Sequence, residues 1–205
     1  MDCDTPLEKI IDRCREVGID CIAVADHGTA EGALKLKATA PFKVIVAEEI
    51  LTPYGEIMGM FLKETVPSNI PADEAIERIK AQGGLVNIPH PFETVRSSAM
   101  SYRHVEEIAD RIDAIEVLNS RSPLATTSHQ AKEFALKHDI ARGAGSDAHT
   151  IHEIGRAYVE MPDFETPQEF LQSLRQGRIM VGRSSLAMRL FSTWAKVKNQ
   201  FLSRG

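Results

Sequence analysis

Segments with helical spacing of apolar residues alternate with short strand-like apolar runs along almost the entire chain. That alternation restricts the chain to α/β architectures with a largely parallel sheet, closed or open. Residues 5–17 carry Leu7, Ile10, Ile11, Cys14 and Val17 at helical spacing, and Gly18 stops them. Thr5 reads as the N-cap, with Pro6 at the first helical position and Glu8 completing a capping box. Residues 19–25 form a nearly continuous apolar run, as a buried strand does. A short helix is expected over 30–37, then two strands over 43–51 and 56–62 joined by the turn signal Pro53-Tyr54-Gly55. Further helices are expected over 71–81, 102–110, 123–137 and 166–176, and further strands over 85–88, 114–118, 140–145 and 158–161. Thr166 before Pro167 marks the start of the 166–176 helix.

The polar residues with metal-binding chemistry fall at the ends of the strands. Asp26 and His27 end one apolar run, Glu48 and Glu49 the next, and His90 a third. Glu116 and Asn119 lie in and after a fourth, and Asp147 and His149 follow a fifth. In α/β barrels the C-terminal ends of the strands converge on one face, where active sites are built. Each signal alone is weak, since a lone histidine at a strand end is commonly structural. Five in register with five strands point to a divalent-metal pocket, and imidazole with carboxylate suits Zn, Mn or Fe.

Charge and length narrow the partners. Lys plus Arg number 24 against 29 for Asp plus Glu, so the 205-residue chain carries a net charge of −5. Binding to long nucleic acid through bulk charge is disfavoured. The three cysteines, Cys3, Cys14 and Cys21, have no CxxC spacing and fit reduced thiols in a cytoplasmic protein. No apolar run approaches membrane-spanning length, and the acidic start lacks the features of a secretory signal.

The motifs VADHGT (24–29), VAEEI (46–50), IPHP (88–91), IEVLNSR (115–121) and GSDAHT (145–150) resemble those of the PHP (polymerase and histidinol phosphatase) family. The likeness is to its small bacterial stand-alone metal-dependent phosphoesterases with a PHP-associated C-terminal region. It covers nearly the whole chain. The resemblance implies a distorted (β/α)7 barrel, here lacking the first strand, and phosphoester hydrolysis with up to three divalent metal ions. It implies metal ligation by Asp2, His27, Glu49, Glu56, His90, Asp147 and His149, with Glu49 as the bridging ligand. Many relatives carry a histidine at the position of Glu56, where a ligand and an exposed strand residue are both open readings. Glu49, Asp147 and His149 are the expected catalytic residues, and Arg121 and Asn119 the expected substrate-binding ones, with Arg96 and Arg142 as weaker phosphate contacts. Arginine is chosen because guanidinium matches phosphate oxygens bidentately.

The family opens with a strand and His-X-His, and MDCDTPLEK matches only the tail of that motif. Either a longer native chain or a lost part of the metal site follows, and fewer ions are expected with the 205 residues alone. Residues 1–184 are read as the phosphoesterase domain and 185–205 as a C-terminal amphipathic helix. That helix is basic, with Leu190, Trp194, Val197 and Phe201 on one face. Docking on the domain or on a second subunit is favoured over membrane contact. The leading function is a phosphoesterase acting on a small phosphorylated metabolite or nucleotide. The alternatives are a short-oligonucleotide exonuclease and a catalytically degraded metal-binding or interaction module.

Overall fold

Six strands form one sheet in unbroken chain order, and this order sets every functional side chain on a common rim. The structure, a computed structural model, describes residues 5–122 and 125–182. The strands are β1 (Cys21–His27), β2 (Lys43–Thr52), β3 (Gly55–Met60), β4 (Leu85–Ile88), β5 (Ala114–Asn119) and β6 (Ala141–Gly145). The pairs β1–β2, β4–β5 and β5–β6 are parallel, whereas both pairings of β3 are antiparallel. The expectation of a largely parallel sheet is corrected there. The connection between β2 and β3 is too short for a parallel crossover, so β3 must run backwards. The result is a mixed α/β fold with a curled sheet.

The helices are α1 (Leu7–Val17), α2 (Glu31–Thr39), α3 (Ala72–Ala81), α4 (Tyr102–Glu107), α5 (Ala125–Lys137) and α6 (Pro167–Gln176). The end of α1 follows the sequence reading: Gly18 adopts φ 77°, and the cap N–H groups reach the carbonyls of Arg15 and Cys14. Its start does not. Pro6 takes the cap position and no side chain caps the helix, so the box expected from Thr5 and Glu8 is absent. The cap expected on α6 does form, with Thr166 Oγ1 accepting the Glu169 N–H at 3.2 Å. A second two-stranded sheet pairs β7 (Ala157–Glu160) with β8 (Arg178–Val181). The sequence reading lacks β8.

The main core lies between the sheet and helices α2, α3 and α5. Ile50, Ile57, Ile79, Ile88 and Ile115 are fully buried there. Each such side chain contributes about 1.5–3 kcal/mol on leaving water. The other face packs Ile45, Met60, Phe164, Phe170 and Leu174. The β2–β3 turn is fixed by Thr52, whose Oγ1 accepts the Tyr54 N–H and donates to the Gly55 carbonyl. Gly55 adopts φ 128°, and a Cβ there would sit 2.7 Å from the Met100 backbone, so only glycine fits. Among the described residues no helix is long and apolar enough to cross a membrane. The helix read over 185–205 lies outside the described residues.

Candidate metal centre

His27 is the last residue of β1, and Glu49 lies beside it in the parallel register of β2. Glu56 enters from β3 because that strand runs backwards: its beginning, not its end, reaches this rim. Glu49 stands opposite Met58, so Glu56, two residues away, projects from the same face. His90 follows β4. His27 Nδ1 lies 3.1 Å from Glu56 Oε1 and 3.4 Å from Glu49 Oε2. His90 Nε2 lies 3.4 Å from Glu56 Oε2 and 3.9 Å from Glu49 Oε1. One donor atom from each of His27, Glu49 and Glu56 falls within 4.8 Å of the others.

Burial makes this arrangement costly without a cation. Glu56 is 4% exposed and His90 2%. Glu56 Oε2 and both ring nitrogens of His90 have no hydrogen-bond partner among the described residues. Buried polar atoms left unpaired are destabilising, and a bound ion would satisfy them. Burial pushes Glu49 up to about 8, reinforced by the neighbouring Glu56, Asp147 and Glu116 and opposed by Arg96. Burial, with the Arg96 charge nearby, pushes His90 down to about 4. The Glu49 shift marks a buried, carboxylate-rich site, and the His90 shift keeps that ring neutral, the form that ligates a metal. A divalent cation would stabilise ionised Glu49 and take a neutral His90 nitrogen as a ligand, so the residues present fit one.

The remaining expected ligands complete one side of the rim. Asp147 follows β6 with φ 47°, and its Oδ2 accepts from Arg96 Nη1 at 2.8 Å and Asn119 Nδ2 at 3.2 Å. His149 has Nδ1 3.0 Å from the Asp147 carbonyl, and its backbone N–H donates to Glu153 Oε2. Ser146 braces this segment, accepting the N–H groups of Gly155 and Ala157 and donating to the Ala157 carbonyl. Positive φ at His90, Phe92 and Asp147, all non-glycine, clusters backbone strain around the site. Asp2 lies outside the described residues.

Other expected residues take different places. Asn119, read from sequence as a substrate contact, is buried and fully engaged inside the protein. Its Nδ2 donates to Glu116 and Asp147, and its Oδ1 accepts the Arg121 N–H. These bonds tie Asn119 to Glu116 and Asp147, and the residue also lines the larger cleft. Arg121 stays half-exposed, with Nη1 3.9 Å from Glu153. Arg142 is exposed on β6. Arg96, a weak candidate by sequence, carries more weight in the structure: it lies over the site between Asp147 and Glu93. A small pocket of about 330 Å³ at the mouth is lined by His27, Arg96, Arg121 and His149. A larger cleft of about 1630 Å³ runs beneath, past Glu49 and along β1 and β6.

Glu93 and Glu116 support the site without being ligand candidates. Glu93 is buried, pairs with Arg96 and accepts from Ser122. Glu116 accepts the His90 N–H and an Asn119 N–H on one oxygen. Glu48 faces the opposite side of β2, fully buried, and takes the Val66 N–H. Phe92 and Tyr102 both pack on Phe134; Phe92 belongs to the core, whereas Tyr102 is exposed.

The site is thus a histidine–carboxylate cluster at strand ends of a curled α/β sheet, a donor set suited to a divalent metal ion. A family model described as PHP-associated matches residues 127–179. An uncharacterized protein of Methanocaldococcus jannaschii is 37% identical over 163 residues, covering 75% of this chain and 65% of the relative. A second from the same organism is 34% identical over 120 residues, covering 55% and 65%. The chain therefore spans about two thirds of the length of these curated relatives. A two-domain protein from Bacteroides vulgatus, containing a predicted PHP-like metal-dependent phosphoesterase, superposes with a TM-score of 0.67 at 16% identity, over 93% of this chain and 66% of that one. PsfC from Pseudomonas syringae gives 0.62 at 14%, over 93% and 88%. An amidohydrolase from Chromobacterium violaceum, with bound sulfate and no metal, gives 0.61 at 14%, over 85% and 92%. The matched PHP-associated region and the shared fold bear out the resemblance to the PHP family carried by the motifs.

Proposed function

We propose that this protein is a metal-dependent phosphoesterase hydrolysing a small phosphorylated metabolite or nucleotide, with Zn, Mn or Fe as the resident ions. One observation carries the reading. His27, Glu49 and Glu56 bring donor atoms to one point, beside unsatisfied atoms of Glu56 and His90 and next to a pocket walled by Arg96 and Arg121. Bound there, divalent ions supply an acidified water and neutralise the charge that repels a nucleophile from phosphate. The chain's own groups do the rest. Glu49, Glu56, His27 and His90 hold the ions, and Asp147 and His149 approach from the β6 side. Arg96 and Arg121 orient the non-bridging oxygens, and Arg96, tied to Asp147, also takes up developing charge. Asn119, Glu116 and Glu93 fix these groups and keep them aligned.

The small mouth favours a compact ester over a polymer, which sets the short-oligonucleotide exonuclease second. The same reading takes the curled sheet as part of a distorted (β/α)7 barrel and places the protein in the cytoplasm. The test is phosphate release from a panel of monoesters and dinucleotides, on protein stripped with chelator and reconstituted with Mn or Zn. Metal-dependent release from monoesters is expected. Release from dinucleotides alone supports the exonuclease. No release with any metal favours the interaction-module reading and overturns the proposal.

A further inference from the structure

Glu56 occupies an unusual place for a strand residue. It is nearly buried, and its backbone is pinned by an N–H bond to the Ser98 carbonyl. Its two oxygens divide between two imidazoles, Oε1 toward His27 Nδ1 and Oε2 toward His90 Nε2. Glu49 straddles the same two rings from β2. The cluster is therefore two imidazoles faced by two carboxylates. Among the described residues no thiol belongs to it: Cys21 sits at the other end of β1 and Cys14 is buried in α1. Imidazole-rich and thiolate-rich sets rank zinc high, and each carboxylate added moves the ranking toward harder, oxygen-preferring ions such as Mn.

We propose that Glu56 sets the metal preference of this centre, raising Mn relative to Zn by facing both His27 and His90 with an anionic oxygen. The inference rests on the metal-dependent reading above and deepens it. It does not require Mn to bind more tightly than Zn in absolute terms. It requires that the ratio of the two affinities depend on the side chain at 56.

The experiment equilibrates chelator-stripped protein with buffered mixtures of Mn and Zn and reads metal per chain by elemental mass spectrometry. Wild type, Glu56→His and Glu56→Gln are compared, with circular dichroism confirming the fold. In Glu56→His, the Zn-to-Mn occupancy ratio is expected to rise about tenfold or more, the scale on which altered metal shells change affinity. In Glu56→Gln, which keeps the shape and loses the charge, Mn occupancy is expected to fall more than Zn occupancy. A ratio unchanged within about twofold in either folded variant overturns the proposal. Wild type that binds neither ion overturns the metal-dependent reading itself, a distinct result. If Glu56→His does not fold, the near-isosteric Glu56→Gln decides alone.

Discussion

The carboxylate of Glu116 accepts the backbone N–H of His90 at 2.7 Å. The same oxygen takes an Asn119 side-chain N–H at 3.0 Å, so one buried group ties the loop after β4 to the end of β5. Glu116→Ala leaves two donors unpaired in a buried site, at a cost of about 1–3 kcal/mol. It also releases His90, and metal affinity is expected to fall about 10- to 100-fold, as when outer supports of a metal site are removed. Glu116→Gln keeps an oxygen acceptor and should lose far less of both. Thermal melts and metal titration on the pair check this. Equal loss in the two variants would show that charge, not the hydrogen bonds, is what His90 needs.

Gly145 gives a packing test of the same clamp. A Cβ at that position runs into Glu116 Oε1. Gly145→Ala should destabilise the protein by roughly 1–3 kcal/mol, in the range of other overpacked sites. Combining it with Glu116→Ala should cost less than the sum of the two, because the collision is gone. A double-mutant cycle by denaturant unfolding measures the difference.

Stability of the metal-free protein should fall as pH rises from 5 to 8. Burial holds Glu48 at about 7, Glu49 at about 8 and Glu116 at about 7 in the folded chain, against an ordinary 4.5. Each keeps a proton that the unfolded chain has released, so each subtracts stability as pH climbs from 4.5 to its folded value. His90, pushed from 6.5 down to about 4, works the other way and recovers stability between those limits. Three groups outweigh one. Saturating Mn should reverse the slope, because ligands bind metal deprotonated. Melting temperatures with chelator and with Mn across this range check the sign, and a metal-free melting temperature that rises with pH contradicts it.

Arg96 and Arg121 should differ in kind. Arg121 reaches the pocket with, among the described residues, one long ion-pair contact, to Glu153, so Arg121→Met should raise KM for a phosphate ester with little change in kcat. Loss of a charge-assisted hydrogen bond, about 1.5–3 kcal/mol, corresponds to a KM rise of about 10- to 100-fold. Arg96 also binds Asp147 at 2.8 Å, so Arg96→Met should lower kcat as well. Steady-state kinetics on the reconstituted enzyme separate the two patterns.

The thiols of Cys14 and Cys21 are pushed up to about 11 and about 12, chiefly by burial. Neither forms appreciable thiolate at pH 8, so both should resist iodoacetamide in the native protein and react once it unfolds. Peptide mapping after alkylation reads each site. Fast native labelling at either would mean that α1 or β1 opens readily.

Much of this rim is legible in the amino-acid sequence. His27, Glu49, His90, Asp147 and His149 announce themselves because ligand-type side chains stand directly at the ends of apolar runs. Glu56 is visible too, but its arrival at the rim depends on β3 running backwards. The supports are legible only in part. Glu93 and Arg96 sit in an irregular loop with no periodicity, and only tertiary contacts give them partners. Glu116 stands out as a carboxylate within an apolar strand, but its bonds to the His90 N–H and to Asn119 come only from the folded arrangement. β8 spans four residues with an arginine at its start, too short to separate from the end of α6 by pattern. Thr5 and Thr166 look alike in sequence, yet only Thr166 caps, since at α1 the chain begins its helix one residue later.

The tight turn at Thr52–Gly55 has a kinetic meaning. Glu49 and Glu56 are seven residues apart in sequence and share one face of a hairpin whose register that turn sets. Hairpins close in about 1–10 μs, far ahead of contacts between distant segments. The two carboxylates are therefore paired while His90 and Asp147 are still remote, and a divalent ion in the surrounding solution meets half of its binding site on a nascent chain. Metal bound there would act as a template for the later strands, so refolding with ions present should outpace refolding without them.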